Sequence, residues 1–311
     1  ELDITYLRNT LNYELTDELD LVWLAGYEDM KRQSAQDIET GLDVWDGAMF
    51  FLDGTGARSY STELQLQSDE LGDLVWIAGV NLFHEKTSTV GYYDNPMDDK
   101  AFWDQPDRST DALAVFGQAT YNLTSDLHLT LGYRFSDETK EDKGGRTLRC
   151  SNADGCAPGW FNRTVLSDLP TNAFEDPSIY KSSFANDNKG SWRNHDFRLG
   201  LDYDLTQNTM VYGYVASGFK AGGIGDVFEV VNDRTGQVQR IETQFDPEQV
   251  VTYELGTKTS LLDNSLNLQA VFFYTDYTDM QYASVGSVGT VERLAPVENP
   301  DGSPVLDQNG Q

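Results

Sequence analysis

The stretch that decides the fold is FRLGLDYDLTQN, at residues 197–208. Its odd positions from Phe197 to Leu205 are apolar, and its even positions are polar or glycine. A period of two places the two sets on opposite faces of a β-strand. The strand ends at the tight polar turn Gln207-Asn208 and is longer than the usual five or six residues. Such strands are long enough to cross a membrane when tilted, which takes about 9–11 residues.

The same pattern recurs along the chain. Further alternating apolar rows occupy 127–135 and 266–274, and three turns share nearly the same approach, YELT (13–16), YNLT (121–124) and YDLT (203–206). The spacing of turns and rows predicts about ten antiparallel strands in five hairpins. These hairpins are predicted at about 4–30, 59–87, 111–140, 193–220 and 249–281.

The predicted connections alternate between short turns and long outer segments. Loops of this length count against a compact soluble domain, whereas short turns at one end of a sheet and long loops at the other are typical of a transmembrane β-barrel of the outer-membrane type. A soluble propeller is the alternative, but its blades repeat four strands, and here each repeat holds two. The predicted outer segments are 31–58, 88–110, 141–192, 221–248 and 282–311.

Tyrosines recur at one distance from the turns. Tyr13, Tyr121 and Tyr203 each lie three residues before the threonine of a turn. We predict that they form an aromatic girdle at the periplasmic headgroup level, with the ring in lipid and the hydroxyl in water. Ordinary tyrosines of a β-core are the alternative, but the threefold recurrence favours the girdle.

Amino-acid composition limits the kinds of membrane segment and binding partner that the chain can have. Of the 311 residues, 39% are hydrophobic, and no apolar run approaches the roughly 20 residues that a spanning helix needs. Low hydropathy is compatible with a barrel, because only every second side chain of a strand faces lipid. The net charge is −29, which argues against nucleic acid as a partner. It fits either a surface that binds cations or neutral solutes or, more simply, a soluble surface.

Two segments resemble a known family. FDPEQVVTYELGTK (245–258) resembles the P-E-x-x-x-x-Y-E-x-G-x-K segment of TonB-dependent outer-membrane receptors, and YVASGFKAGG (214–223) resembles their Y-x-x-G-F-K-x-G-G strand end. The resemblance implies a 22-stranded barrel in the bacterial outer membrane, closed by an N-terminal plug. This chain would supply about ten central strands, with the plug and the C-terminal strands outside it. The matching positions are Phe219, Gly222, Gly223, Pro247, Glu248, Tyr253, Glu254, Gly256 and Lys258.

The resemblance also implies a function. It is active uptake of a scarce nutrient, most often a ferric siderophore or similar chelate, driven by the TonB complex acting on the plug. A carbohydrate or vitamin taken up by the same mechanism remains open, as does a passive porin or structural surface barrel. Nothing in the sequence points to an enzyme or a cofactor, since His84, His128 and His195 are scattered and no nucleophile motif is present.

Alternation assigns faces to the family segment. Tyr253 and Leu255 point to one side of the strand, and Glu254 and Gly256 point to the other. We expect Glu254 and Lys258 to face the lumen, where they could form an ion pair.

Candidate ligand contacts are the aromatic side chains of the predicted outer segments. Exposed rings there can stack on sugars, catechols or macrocycles, or they can pack the loops against each other. These residues are Tyr92, Tyr93, Phe102, Trp103, Trp160 and Phe161.

Two smaller features lie in the same outer segments. Cys150 and Cys156 are close enough in sequence to close a small disulfide loop in an oxidising compartment, with two free thiols as the alternative. Asp94, Asp98 and Asp99 could hold Ca²⁺ through oxygen ligands, but their spacing matches no EF-hand, so we favour a solvated acidic loop and predict no metal site.

Overall fold

The computed structural model is built from β-strands, twelve of them in the part of the chain that it describes. The described residues are 1–37, 50–68, 72–94, 99–151, 182–231 and 238–281. They contain no helix that is both long and apolar enough to span a membrane. The strands are β1 (Leu2–Thr16), β2 (Leu19–Asp37), β3 (Phe50–Ser68), β4 (Leu74–Asp94), β5 (Asp99–Asn122), β6 (Leu127–Ser151), β7 (Ser182–Thr206), β8 (Thr209–Lys220), β9 (Gly223–Val231), β10 (Val238–Phe245), β11 (Glu248–Leu261) and β12 (Leu266–Thr278).

Ten of these strands form one antiparallel sheet. Its order is β1-β2-β3-β4-β5-β6-β7-β8-β11-β12, so each strand pairs with its neighbour in the chain except where β8 pairs with β11. The prediction of about ten antiparallel strands is confirmed. The strands β9 and β10 pair only with each other and form a hairpin inside the segment 221–248, where the sequence predicted an outer connection.

The strands extend farther outward than the alternation predicted. Strand β2 reaches Asp37 and β3 begins at Phe50, both inside the predicted connection 31–58. The predicted connections 88–110 and 141–192 are likewise partly strand. Beyond the membrane both faces of a strand meet water, so the apolar period disappears. The paired backbone still satisfies its N–H and C=O groups, which lets the ladder continue.

The turn geometry explains why the Tyr-x-Leu-Thr segment recurs. In three turns the threonine hydroxyl accepts a hydrogen bond from the backbone N–H two residues later, at 3.2 Å in each case. The acceptors are Thr16, Thr124 and Thr206. Such local bonds stabilise the turn without help from the rest of the protein. The threonine therefore fixes where each strand stops.

The strand register brings apolar side chains onto one face. Leu131 lies opposite Ala119 and Leu199, Leu199 lies opposite Val215, and Val215 lies opposite Tyr253. Leu131 is 52% exposed and Tyr253 is 53% exposed. Among the residues whose side-chain burial the structure describes, only two hydrophobic side chains are buried, both alanines. The apolar face therefore has no protein core to pack on, and lipid must cover it.

Aromatic side chains mark both limits of this lipid-facing band. Tyr13, Tyr121 and Tyr203 lie on it near the turns and are exposed. At the opposite end the rings of Tyr27 and Tyr60 lie 5.1 Å apart. Transmembrane barrels carry aromatic belts at both membrane interfaces, and the tyrosines here have the same arrangement.

Candidate functional site

The face opposite the lipid carries a hydrogen-bonded cluster on β8 and β11. Tyr212 and Tyr214 each donate a hydrogen bond to Glu254, one to each carboxylate oxygen, at 2.8 Å. Gly256 is buried beside them, and a Cβ there would lie 2.5 Å from Cζ of Tyr212. The Y-E-x-G segment thus has a physical role. The glutamate holds two tyrosines against the inner wall, and the glycine leaves room for one of the rings.

Two cations stack on these tyrosines. Cζ of Arg198 lies 4.4 Å from the ring centroid of Tyr214, and Nζ of Lys258 lies 5.3 Å from that of Tyr212. Cations above tyrosine faces are attracted by the ring quadrupole. Both Glu254 and Lys258 therefore lie against Tyr212, whereas the sequence had left an ion pair between the two of them possible.

The cluster lines a cavity of about 340 Å³ on the inner face. Its charged groups are the cations of Arg198 and Lys258 and the carboxylates of Asp202 and Glu254, with the amide of Gln269 beside them. Equal numbers of both signs, together with amide and hydroxyl groups, suit a polar or zwitterionic group that passes along the wall. They do not suit tight capture of one charge.

The β9–β10 hairpin is anchored to the same face. Nζ of Lys140 donates a hydrogen bond to the carbonyl of Gly222 at 2.9 Å and lies 5.7 Å from the ring centroid of Trp192. Gly222 and Gly223 are buried, and a Cβ on either would clash with Phe245, the first with its carbonyl and the second with its ring. The glycine pair of the family segment is needed for this close approach.

A buried ion pair strengthens the outward extension of the wall. Nε of Arg108 on β5 donates to Asp142 on β6 at 2.8 Å, and the Asp142 side chain is only 1% exposed. Nearby, the hydrogen bond from Lys143 to Glu141 raises the pKa of the lysine. Charged side chains therefore pair with one another where the wall has left the apolar band.

The register brings four of the predicted aromatics together. Tyr92 lies opposite Phe102, the neighbouring Tyr93 lies opposite Ala101, and Trp103 lies opposite Gly91. They belong to the outer ends of β4 and β5, so the expectation that they lie in loops was wrong. The ladder continues there because backbone pairing does not require an apolar period along the strand.

Several other predicted positions lie outside the described residues. These are Trp160 and Phe161, and also Cys156, whose proposed partner Cys150 pairs in register with Lys100 at the end of β6. Asp98 is outside as well, and the part of the chain that the structure describes holds no group of side chains suited to a metal ion.

Inner-face residues were missed by the sequence reasoning. Tyr212 and Tyr214 occupy the even positions between Val211, Gly213 and Val215, so their direction could have been inferred from alternation. What alternation does not give is the register between β8 and β11, which brings Tyr214 directly opposite Glu254.

A membrane-spanning antiparallel wall with a lipid face, a polar inner face and an inward-anchored hairpin defines a transmembrane β-barrel. The chain belongs to the family described as TonB dependent receptor-like, beta-barrel, whose model matches residues 2–302. It therefore lies in the bacterial outer membrane, as predicted.

Relatives and solved structures agree with this assignment. The chain is 34% identical over 101 residues to the probable TonB-dependent siderophore receptor PiuA of Acinetobacter baumannii, covering 29% of this chain and 13% of PiuA. It is 28% identical over 168 residues to the catecholate siderophore receptor Fiu of Escherichia coli K12, covering 54% of this chain and 20% of Fiu. The chain thus spans a small part of these relatives.

Among solved structures, the ferric yersiniabactin uptake receptor FyuA of Yersinia pestis matches with a TM-score of 0.64 at 18% identity, covering 90% of this chain and 36% of FyuA. The closed form of Fiu matches with a TM-score of 0.60 at 17% identity, covering 89% of this chain and 40% of Fiu. At these identities the structural matches establish the fold.

Proposed function

We propose that this chain is the central wall of a receptor that takes up ferric siderophores across the outer membrane in a TonB-dependent manner. The observation that carries the proposal is the sequence similarity to PiuA and Fiu, whose names describe siderophore receptors. Because Fiu is a catecholate receptor, a catecholate chelate is the substrate class that we favour. The TonB complex, acting through a plug outside this chain, is the proposed energy source.

The inner-face cluster gives this proposal a physical basis. Arg198 and Lys258 place cations above the rings of Tyr214 and Tyr212, and all four side chains line the same cavity. Ferric catecholates combine negative charge with aromatic rings, so these cations and rings suit weak, passing contacts with them, while the carboxylates of Asp202 and Glu254 balance the cations and oppose tight capture at this point of the wall. The roles that we propose for Tyr92, Tyr93, Phe102, Trp103, Trp160 and Phe161 are first contacts with the solute at the outer rim.

Transport assays with the full-length protein test the function. A strain that lacks the gene is complemented with the intact gene, and uptake of radiolabelled iron is measured with a tris-catecholate carrier. We expect uptake only in the complemented strain, and loss of that uptake when a protonophore collapses the proton gradient. Uptake that survives the protonophore would favour a passive pore.

A carbohydrate or a vitamin is the second candidate. It is favoured by the net charge of −29, which repels an anionic chelate from the protein as a whole. The same strains are therefore given labelled oligosaccharides and cobalamin. Gene-dependent uptake of one of these, without uptake of the ferric chelate, would replace the siderophore by that solute.

Disulfide formation between Cys150 and Cys156 also remains a proposal. Its support is the short spacing between the two cysteines in an outer segment of an outer-membrane protein. Peptide mapping of the purified protein with and without reductant tests it. A linked peptide that disappears on reduction is the expected result, and alkylation of both thiols without reductant would contradict it.

A further inference from the structure

The outward face of β2, β3 and β4 carries a cationic cavity just beyond the outer aromatic belt. Lys31, Arg58 and Lys86 line this cavity of about 380 Å³, together with Asp29 and Asp107. Three cations against two carboxylates leave a local excess of positive charge. This is unusual on a chain whose net charge is −29.

The order of charges across the sheet places two cations side by side. Arg58 lies directly opposite both Asp29 and Lys86 on the neighbouring strands. Arg58 donates to Asp29 at 2.7 Å, and Lys86 lies 3.3 Å from Asp107. Like charges directly opposite each other on paired strands are unfavourable. Each of these two cations has one carboxylate partner, on its far side in the sheet, and an anion placed between the cations would reduce the repulsion that remains. The side chains of Arg58 and Lys86 are more than half exposed, at 56% and 57%, so an external anion can reach them.

An apolar groove adjoins the cavity on its membrane side. The groove has a volume of about 660 Å³, and its lining is mostly apolar, including Ala25, Tyr60 and Leu82. Its acidic and basic lining residues are His84, Asp111 and Asp137. On β3, Tyr60 of the groove lies two residues closer to the membrane than Arg58 of the cavity. On β4, His84 of the groove likewise lies two residues closer to the membrane than Lys86 of the cavity. A cationic pocket therefore sits above a groove that points into the lipid.

We propose that these two features form one binding site for an acylated, phosphorylated lipid of the outer leaflet. The phosphate lies between Arg58 and Lys86, with Lys31 nearby, and an acyl chain follows the groove past Ala25 and Leu82. Guanidinium and ammonium groups are suited to phosphate oxygens, and basic clusters at a membrane surface attract anionic lipids. A soluble phosphate would use the cavity but not the groove, whereas a lipid uses both.

Native mass spectrometry of the intact full-length protein tests the site. The protein in detergent is titrated with dioleoyl phosphatidylglycerol, with dioleoylglycerol, which lacks the phosphate, and with inorganic phosphate. We expect preferential retention of phosphatidylglycerol. Replacing Arg58 and Lys86 by glutamine should weaken this binding by roughly 25-fold, at about five-fold for each basic residue lost.

The matched control is Lys189→Gln. Lys189 is also an exposed cation on the outward row of β7, opposite Glu141, and it lines neither the cavity nor the groove. It should leave lipid binding unchanged. Ala25→Phe fills the groove from the lipid side and should weaken phosphatidylglycerol binding without changing inorganic phosphate binding.

Three results would overturn the proposal. One is equal retention of phosphatidylglycerol and dioleoylglycerol by the unmodified protein. Another is a loss of binding in Lys189→Gln as large as that in the double variant, which would mean general attraction of lipid to charge. The third is displacement of the lipid by inorganic phosphate at equal concentration, which would assign the cavity to a soluble anion.

Discussion

Replacing Leu131 by arginine tests the assignment of the lipid face. Leu131 lies at the centre of the apolar row of β6, four residues from Leu127 and four from Phe135. At about 3.4 Å per residue, either end of the row is roughly 14 Å away along the strand, too far for an arginine to reach water easily. An arginine near the midplane of a barrel costs about 2–4 kcal/mol, and we expect Leu131→Arg to lower the free energy of unfolding by this amount.

The assay is reversible unfolding of the full-length protein in lipid vesicles, followed by tryptophan fluorescence against urea. Thr139→Arg is the control on the same strand and face, because it lies beyond the outer belt, where the cost should be at most about 1 kcal/mol. Equal stability of Leu131→Arg and the unmodified protein would refute the assignment. So would a larger loss in Thr139→Arg than in Leu131→Arg.

Three further substitutions test the inner face and the outer wall by the same unfolding assay. Gly222→Ala should destabilise the protein by about 1–3 kcal/mol through overpacking. The control Gly117→Ala should be tolerated, because no atom lies closer than 3.5 Å to its new Cβ. Equal effects of the two variants would contradict the anchoring role of Gly222. Glu254→Gln removes a charged acceptor of two hydrogen bonds and should cost about 1–3 kcal/mol; no change would show that the cluster is not stabilising. Arg108→Met leaves the Asp142 carboxylate buried without this cation and should lower the free energy of unfolding by roughly 2–4 kcal/mol. The loss should be smaller when Asp142→Asn is made as well. An equal loss in the double variant would count against a role for the ion pair.

The lipid-facing part of the wall was predictable from the sequence because lipid imposes a strict rule. Most outward side chains between the two belts must be apolar, so Leu131 and Leu199 could be assigned to a face from their neighbours in sequence. The turns were predictable for a related reason, since a bond such as that from Glu18 N–H to Thr16 is made within two residues.

The outward strand extensions and the inner cluster could not be predicted in this way. Beyond the belts water meets both faces of the strands, so the sequence need not alternate between apolar and polar residues. Strand β6 therefore continues to Ser151 without an apolar pattern. The cluster depends on contacts between residues far apart in the chain, such as Tyr212 and Glu254, which are set by pairing between β8 and β11. Single-strand alternation gives the direction of each side chain but not its partner.

That pairing explains why the family segments lie where they do. In the described part of the wall, β8 and β11 are the only paired neighbours that are not consecutive strands. The chain leaves the sheet after Lys220 and returns at Glu248, and these two residues lie directly opposite each other. Pro247 has no N–H to contribute to the ladder, so it ends the excursion just before β11 begins.

The glycine pair lies just after β8, and the Y-E-x-G segment lies in β11, so the two segments flank this junction. Gly222 lets the excursion fold close to the inner face, and Glu254 ties β11 to the tyrosines of β8. Strands joined by a short inner turn have their register fixed locally. β8 and β11, like the other neighbours that are joined through an outer segment, lack such a turn, and here the bond from Tyr214 to Glu254 helps to specify the register. We infer that the family segments are concentrated between β8 and β11 because this junction needs sequence-specific contacts, whereas the lipid-facing rows require only apolar side chains.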